Sequence, residues 1–402
     1  MMKHTIFMLV VLLAIPFALG YLLWNDVEAS GDSAITKGPY LLDLNADTAT
    51  IAWETDKRSA SIVRLSCAKK KAVQFKGTSH KSRWMKDIEV IPAFFSSGIQ
   101  HRVKVSGISD SCFYSVLHTL DASKKFPIRP GFTNDHPVPI VVYGDSRSGH
   151  DKHELVAAQI AKETPGLVLH TGDFVMRGSS KSDWVSYFHA IDAYSPSSVI
   201  LSSYGNHERW GKTAFYTYFD DLFSEDNIVS AATTYTFGDV WVMVLNSEES
   251  FEIGDIQWQW AKLKLEKSLS NPEIAHRFVM FHRPIYTWGH HKPSEIVTDS
   301  EREQWHHLFR SHQVQAVFSG HNHSYEHFLR DNVHYLTLGG GGARLGNPDR
   351  YPQEDERKYR ITSAKCWHYM VLSRSASGTT LEARVLEVPS SRVIEQFVIG
   401  HR

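Results

Sequence analysis

Cysteine is nearly absent from this chain: Cys67, Cys112 and Cys366 are the whole complement. Three thiols exclude a four-cysteine zinc site, and an odd number leaves one unpaired. Cys67 and Cys112 could form a disulfide in an oxidising compartment; buried reduced thiols are the alternative. An excess of charge is missing too. Lys and Arg number 43 against 44 Asp and Glu, a formal net charge of -1, which supplies no electrostatic footprint for a nucleic-acid scaffold. Nothing in the composition suggests disorder, since 42% of residues are hydrophobic and 22% charged, as in globular proteins. No internal repeat is visible. At 402 residues the chain exceeds one ordinary core, so two or three domains are expected.

The conspicuous apolar run is N-terminal. Lys3 and His4 precede an uncharged segment, residues 6–24, interrupted only by Pro16 and Gly20. The pattern fits an export signal, and its length is also close to the minimum for a membrane span. Small residues suited to cleavage occur around Gly20 and again at Ala29 and Ser30. Residues 1–30 therefore read as a signal peptide or an N-terminal membrane anchor. The protein is expected to be exported, periplasmic or extracellular, with membrane attachment through this segment as the open alternative. No cysteine directly follows the run, which excludes lipid attachment there.

Residues 35–125 alternate apolar and polar positions in short stretches, for example Thr50-Ile51-Ala52-Trp53-Glu54 and His101-Arg102-Val103-Lys104-Val105. Strand after strand with no amphipathic helix indicates a small β-sandwich. Pro127, Pro130, Pro137 and Pro139 mark a stiff linker over residues 126–138. From residue 139 to 402 the pattern changes to an α/β (α+β) domain. Helices are predicted at 151–162, 182–193, 213–223, 254–269 and 300–310. A hairpin is expected around Gly238-Asp239, and closing strands at 333–338, 367–373, 381–388 and 393–399. Two mixed sheets sandwiched by helices suit this order. Residues 339–365 open with four glycines and read as a long loop, either a flap near a site or disordered.

Histidine is the outlier, with 23 in the chain. Imidazole is a frequent ligand of Zn and transition metals. Five short apolar runs also end abruptly in metal-capable residues: Ile140 to Tyr143 before Gly144-Asp145, Leu167 to His170 before Gly172-Asp173, Val199 to Leu201 before Gly205-Asn206-His207-Glu208, Phe278 to Phe281 before His282, and Val314 to Phe318 before Gly320-His321-Asn322-His323. Runs of this length bounded by glycine fit buried strands. Ligands of open α/β sheets bind beyond the carboxyl ends of strands, so the five tips should meet. Two cations held close together need a bridging carboxylate, for which Asp173 is placed, with imidazole, amide and carboxylate atoms around it. His321 and His323, one residue apart, share a face of a strand or aim one ring at each ion from a loop tip. Any one block alone is weak, since most Gly-Asp pairs are turns and Asn206-His207-Glu208 would pass for a turn with a helix cap. Five in order are a site.

These five blocks resemble the signature of the calcineurin-like metallophosphoesterases, and the run Gly320-His321-Asn322-His323-Ser324-Tyr325-Glu326 is similar to the last block of the purple acid phosphatase branch. The resemblance covers nearly everything from Ile35 onward. It implies a four-layer αββα metallophosphoesterase sandwich preceded by a fibronectin-III-like β-sandwich, with Pro39-Tyr40 and Trp53 matching the latter. It implies two divalent or mixed-valence metal ions, drawn from Fe, Zn or Mn. One would take Asp145, Asp173 and His323, and the other Asp173, Asn206, His282 and His321. His207 matches the residue that contacts the scissile phosphate, and His290 and His291 lie where that branch has histidines facing the phosphoryl group.

Two positions depart from the pattern. Met176 stands where purple acid phosphatases carry a metal-binding tyrosine, so their charge-transfer colour should be absent, and Arg147 stands where other relatives have a histidine. The first ion thus has one protein ligand fewer. The expected activity is hydrolysis of a phosphate ester, most simply a monoester, by a metal-activated hydroxide on a small phosphorylated substrate. His207 would serve the leaving group, and Arg147 would clamp a phosphoryl oxygen or make an ion pair instead. A phosphodiesterase acting on nucleotides or lipid head groups and a non-catalytic envelope binding module are the competing readings. Of the remaining histidines, His170 is expected beside the site, His327 behind the last block, and His306, His307 and His312 on an exposed helix. Trp184, Trp258, Trp260 and Trp305 are expected in packing roles, Trp210 and Trp288 at the mouth of the site.

Overall fold

The computed structural model describes residues 32–82, 98–131, 138–219, 229–376 and 378–400. The expected leader and residues 132–137 of the expected linker lie outside these, as does the end of the helix expected at 213–223. Among the described residues no helix is long and apolar enough to cross a membrane.

The strands Ile140–Tyr143, Leu167–His170 and Val199–Ser202 run parallel near the middle of a ten-stranded sheet. All are fully buried, so both faces of each strand must be apolar and the sequence shows continuous runs instead of alternation. Trp367–Arg374, Leu381–Val388 and Val393–Ile399 extend one side of this sheet in antiparallel fashion. A seven-stranded sheet carries Val240–Val244, His276–Met280, Ala316–Ser319 and Val333–Leu338 in parallel, with the hairpin partner Thr233–Phe237 on one flank.

Period-two burial sets the layers. Phe278, Met280, Ala316 and Phe318 join the core of the ten-stranded sheet, whereas Val279, Phe281 and Val317 join a second core with Trp260, Leu265, Trp305 and Phe309. Those last four lie on the helices Ile256–Leu269 and Asp299–Ser311. The second helix starts where it does because Thr298 and Glu301 form a reciprocal capping box. Helices His150–Lys162, Lys181–Ile191 and Lys212–Phe219 add Val156, Ile160, Trp184, Phe188 and Phe215 to the first core. The order is helices, sheet, sheet, helices.

The N-terminal strands occupy two sheets. Val73–Lys76, Ile62–Cys67, Cys112–Val116 and Phe126–Ile128 form a separate four-stranded sheet, stapled by a disulfide between the paired residues Cys67 and Cys112. Ile35–Leu44 instead pairs in parallel with Val199–Ser202, Leu41 opposite Val199, and brings Thr48–Thr55 and Ile99–Ser106 into the large sheet. Face alternation reports which side of a strand is buried and says nothing about its edge partner.

Three expectations need correction. Residues 126–128 are not linker but the strand Phe126–Ile128, paired with Cys112–Val116. Residues 339–365 are not a plain loop: Glu354–Tyr359 is a short 3-10 helix, and Arg360–Ala364 is an edge strand on Tyr325–Arg330. His306 is not exposed. Its Nδ1 meets the Tyr335 hydroxyl at 2.8 Å and its Nε2 meets Asp331 Oδ2 at 2.9 Å, because it falls on the helix face turned to the sheet.

Candidate metal centre

The five strand tips come from two sheets: Asp145, Asp173 and Asn206 follow strands of the ten-stranded sheet, and His282, His321 and His323 follow strands of the seven-stranded one. Asp145 and Asp173 leave their strands in the left-handed backbone region, with φ 57° and 56°, as does His321 at 67°. Three non-glycine residues in that region within one site are strained positions of the kind found at functional centres. Gly172 precedes Asp173 at φ 98°, and a Cβ on Gly320 would lie 2.3 Å from Asp145 Oδ2, so the tips approach one another only because these residues lack side chains.

Asp145 is buried. Its Oδ2 accepts from the His321 backbone N–H at 2.9 Å, and its Oδ1 has no hydrogen-bond partner among the described residues but lies 3.4 Å from His323 Nε2. The His323 Nδ1 faces the Arg344 carbonyl at 2.9 Å, which makes it the donor and leaves a lone pair on Nε2. Asp173 is also buried. Its Oδ1 accepts from the His207 backbone N–H at 3.0 Å and lies 3.4 Å from His282 Nε2. The His282 Nδ1 donates to the Thr171 carbonyl at 2.8 Å, and its Nε2 is 3.1 Å from Asn206 Oδ1 and 3.2 Å from His321 Nδ1.

The charges are strongly coupled. Burial lowers His321 to about 3, while Asp173 overrides the downward push of burial on His282 and raises it to about 9. Burial would raise both aspartates, yet neighbouring histidines hold them below the usual carboxylate range. Anions buried at this depth require cations. Asp173, His282 and His321 bring one ligand atom each within 4.8 Å of one another, as do His291, Glu295 and His321, and Asp145 Oδ1 lies 3.4 Å from His323 Nε2. The donor set of carboxylate, imidazole and amide oxygen fits first-row divalent ions.

His207 points its Nδ1 at the Met176 carbonyl, 2.6 Å away, and its Nε2 toward Asp173 Oδ2 at 3.9 Å. Arg147 lies among the ligands, with Nε 3.0 Å from Asp173 Oδ2. His291 packs on His321 with ring centroids 3.9 Å apart and the planes tilted by 37°. His290 is exposed, packs on His291 at 5.0 Å, and is not brought into the cluster. Trp210 is 82% exposed beside the His207 loop, whereas Trp288 is buried under the Arg360 guanidinium and does not line the mouth. His170 stacks on Phe174 and its Nδ1 accepts from the Gly172 backbone N–H.

Sequence reasoning missed the supports. Glu208, fully buried, accepts the backbone N–H groups of Asp173, Phe174 and Gly205, each at 3.0 Å, and so clamps two ligand loops together. Burial and Asp173 push its carboxyl up to about 8, against the pull of those donors. Glu208→Ala would leave three buried donors unpaired and is expected to destabilise the fold by about 3 kcal/mol or more; a loss below about 1 kcal/mol in urea denaturation would remove this role. Glu295 accepts from Arg283 at 2.6 Å and meets His321 Nε2 at 3.3 Å and His291 at 3.0 Å. Burial works against ionisation of Glu295, but His321 and His291 hold it at about 2. The glycine run also has a use: Gly341 and Ala343 donate to the carbonyls of Gly144 and Asp145, and Gly346 donates to that of His323. Glu208 and Gly341 were visible as residue types, but Asp173, Phe174 and Gly144, which give them these roles, lie 34 or more positions away.

The chain is similar to known proteins to different extents. Residues 138–325 match the calcineurin-like phosphoesterase family. Purple acid phosphatase 22 of Arabidopsis thaliana is 24% identical over 280 residues, which cover 63% of this chain and 61% of the relative. Purple acid phosphatase 21 of the same plant is 24% identical, with 67% and 65% covered. The chain thus spans less than two thirds of the length of these relatives. Among solved structures, purple acid phosphatase PPD1 from yellow lupin (Lupinus luteus) superposes with a TM-score of 0.74 at 15% identity, covering 90% of this chain and 74% of that one. Residues 138–325 are therefore a calcineurin-like phosphoesterase domain, and the chain has the fold of the purple acid phosphatases.

Proposed function

We propose that this chain is a metal-dependent phosphatase that hydrolyses esters of small phosphorylated molecules. The observation that carries the reading is that Asp145, Asp173 and Asn206, from strand ends of one sheet, meet His282, His321 and His323, from strand ends of the other, with His207 beside the shared aspartate. In this reading Asp145, Asp173 and His323 hold one cation, and Asp173, Asn206, His282 and His321 hold the other. When bound, such a pair supplies a nucleophile at neutral pH and neutralises phosphoryl charge. The protein positions and protonates. Fixed by the Met176 carbonyl through Nδ1, His207 offers Nε2 to the departing oxygen, and to donate there it must carry protons on both nitrogens. Arg147 and His291 border the space a phosphoryl group would fill, and a guanidinium suits two of its oxygens. His290 belongs to the rim.

Export of the chain is part of this reading, and the Cys67–Cys112 disulfide supports an oxidising compartment. Residues 35–125 are read as a β-sandwich unit and 139–402 as the catalytic unit. The test is a panel of phosphoesters assayed with chelator-treated protein and again after dialysis against manganese, iron or zinc. Turnover of nitrophenyl phosphate in the reloaded protein alone is the expected result. Preference for bis(nitrophenyl) phosphate would point to a diesterase, and metal-loaded protein inert on the whole panel would leave a binding module.

A further inference from the structure

One cation is already present among the proposed ligands of the first ion. The Arg147 side chain, 15% exposed, sets Nε 3.0 Å from Asp173 Oδ2, Nη2 3.2 Å from His323 Nε2 and Nη1 3.4 Å from Met176 Sδ. Two of these three acceptors are atoms the first metal ion would need. His323 has given its other nitrogen to the Arg344 carbonyl, so the lone pair on Nε2 meets the guanidinium directly. A guanidinium does not lose its proton in proteins, so this charge leaves the pocket only by rotation of the side chain.

The second position is different. Arg283 approaches His321 only at Nε2, 3.1 Å away, on the side of the ring turned to Glu295. The inward atom, His321 Nδ1, faces His282 Nε2 at 3.2 Å with no arginine between them. Met176 reinforces the contrast, because a thioether is a weak ligand for a hard ion and here serves as an acceptor for Arg147.

We infer that Arg147 is a built-in competitor for the first metal ion, so the two positions fill in order: the Asn206, His282 and His321 position first, and the Asp145 and His323 position only when Arg147 swings away from Asp173. This rests on the two-cation reading proposed above. Competition for a shared carboxylate is a coupling between occupants, and couplings of this kind change affinities by about 5–150-fold.

The test is calorimetric titration of the chelator-stripped full chain with Mn²⁺, with bound metal counted by elemental analysis. The unmodified protein is expected to show two classes of site. Arg147→Ala is expected to tighten the weaker class by about tenfold or more and to leave the tighter class within about twofold. Arg147→Gln, close in length and uncharged, should do the same and serves if the alanine variant does not fold. Unchanged affinities in these variants, with two ions still bound, would overturn the competition while leaving the two-cation reading intact. One ion per chain in every variant would overturn both.

Discussion

Asp173→Asn is expected to lower phosphatase turnover by at least about 10³-fold and to deplete both cations at once. Asp173 is the one residue proposed as a ligand of both cations, with Oδ1 toward His282 and Oδ2 toward Arg147, which also reaches His323. Its carboxylate also accepts the His207 backbone N–H, so the loop carrying Asn206 and His207 is anchored to it. An amide at this position keeps one acceptor oxygen but loses the charge and puts two donors where a cation should sit. A factor of 10³ corresponds to about 4 kcal/mol, within the several kcal/mol that charge stabilisation by bound ions supplies. Metal analysis beside the rate decides the matter: full occupancy with full activity would remove Asp173 from its bridging position. The depletion separates this variant from the Arg147 changes, where more metal is bound rather than less.

Replacing His207 by alanine should slow turnover by about 10²–10⁴-fold, the range for loss of a general acid, while metal content stays near two ions per chain. The ring makes no ligand contact within the two convergent groups; its Nδ1 is held by Met176 and its Nε2 stands 3.9 Å from Asp173. Proton donation matters most when the leaving alkoxide is a strong base. The loss should therefore be large for alkyl phosphates and small for nitrophenyl phosphate, whose leaving group departs without help. An equal loss on both would assign His207 to phosphate binding instead of proton transfer.

The parts of the molecule legible in the chain are those governed by local rules. Strands such as Ile140–Tyr143 and Val199–Ser202 announce themselves as short apolar runs because they are buried on both faces. The helix Asp299–Ser311 is bounded by a capping box written in Thr298 and Glu301. Tyr325–Arg330 and Arg360–Ala364 escaped notice because they bury charged side chains in pairs: Glu326 accepts from Arg360 at 3.1 Å and from Thr287 at 2.7 Å. A buried glutamate has no hydrophobic signature; only its partner reveals it. His306 was misplaced for the same reason, since its acceptor Asp331 lies 25 residues away.

Residue order alone placed aspartates, histidines and an asparagine after the carboxyl ends of buried strands, where ligands of α/β sheets bind, but did not show that these strands belong to two different sheets. It could not show that Arg147 lies between Asp173 and His323, that Glu208 clamps two loops through three backbone donors, or that the glycine run lies flush on the backbone of Gly144. Strand and turn propensities act over a few residues. Charge balance and close backbone approach depend on atoms from tens to nearly two hundred positions apart, and those distances exist only once the chain has folded.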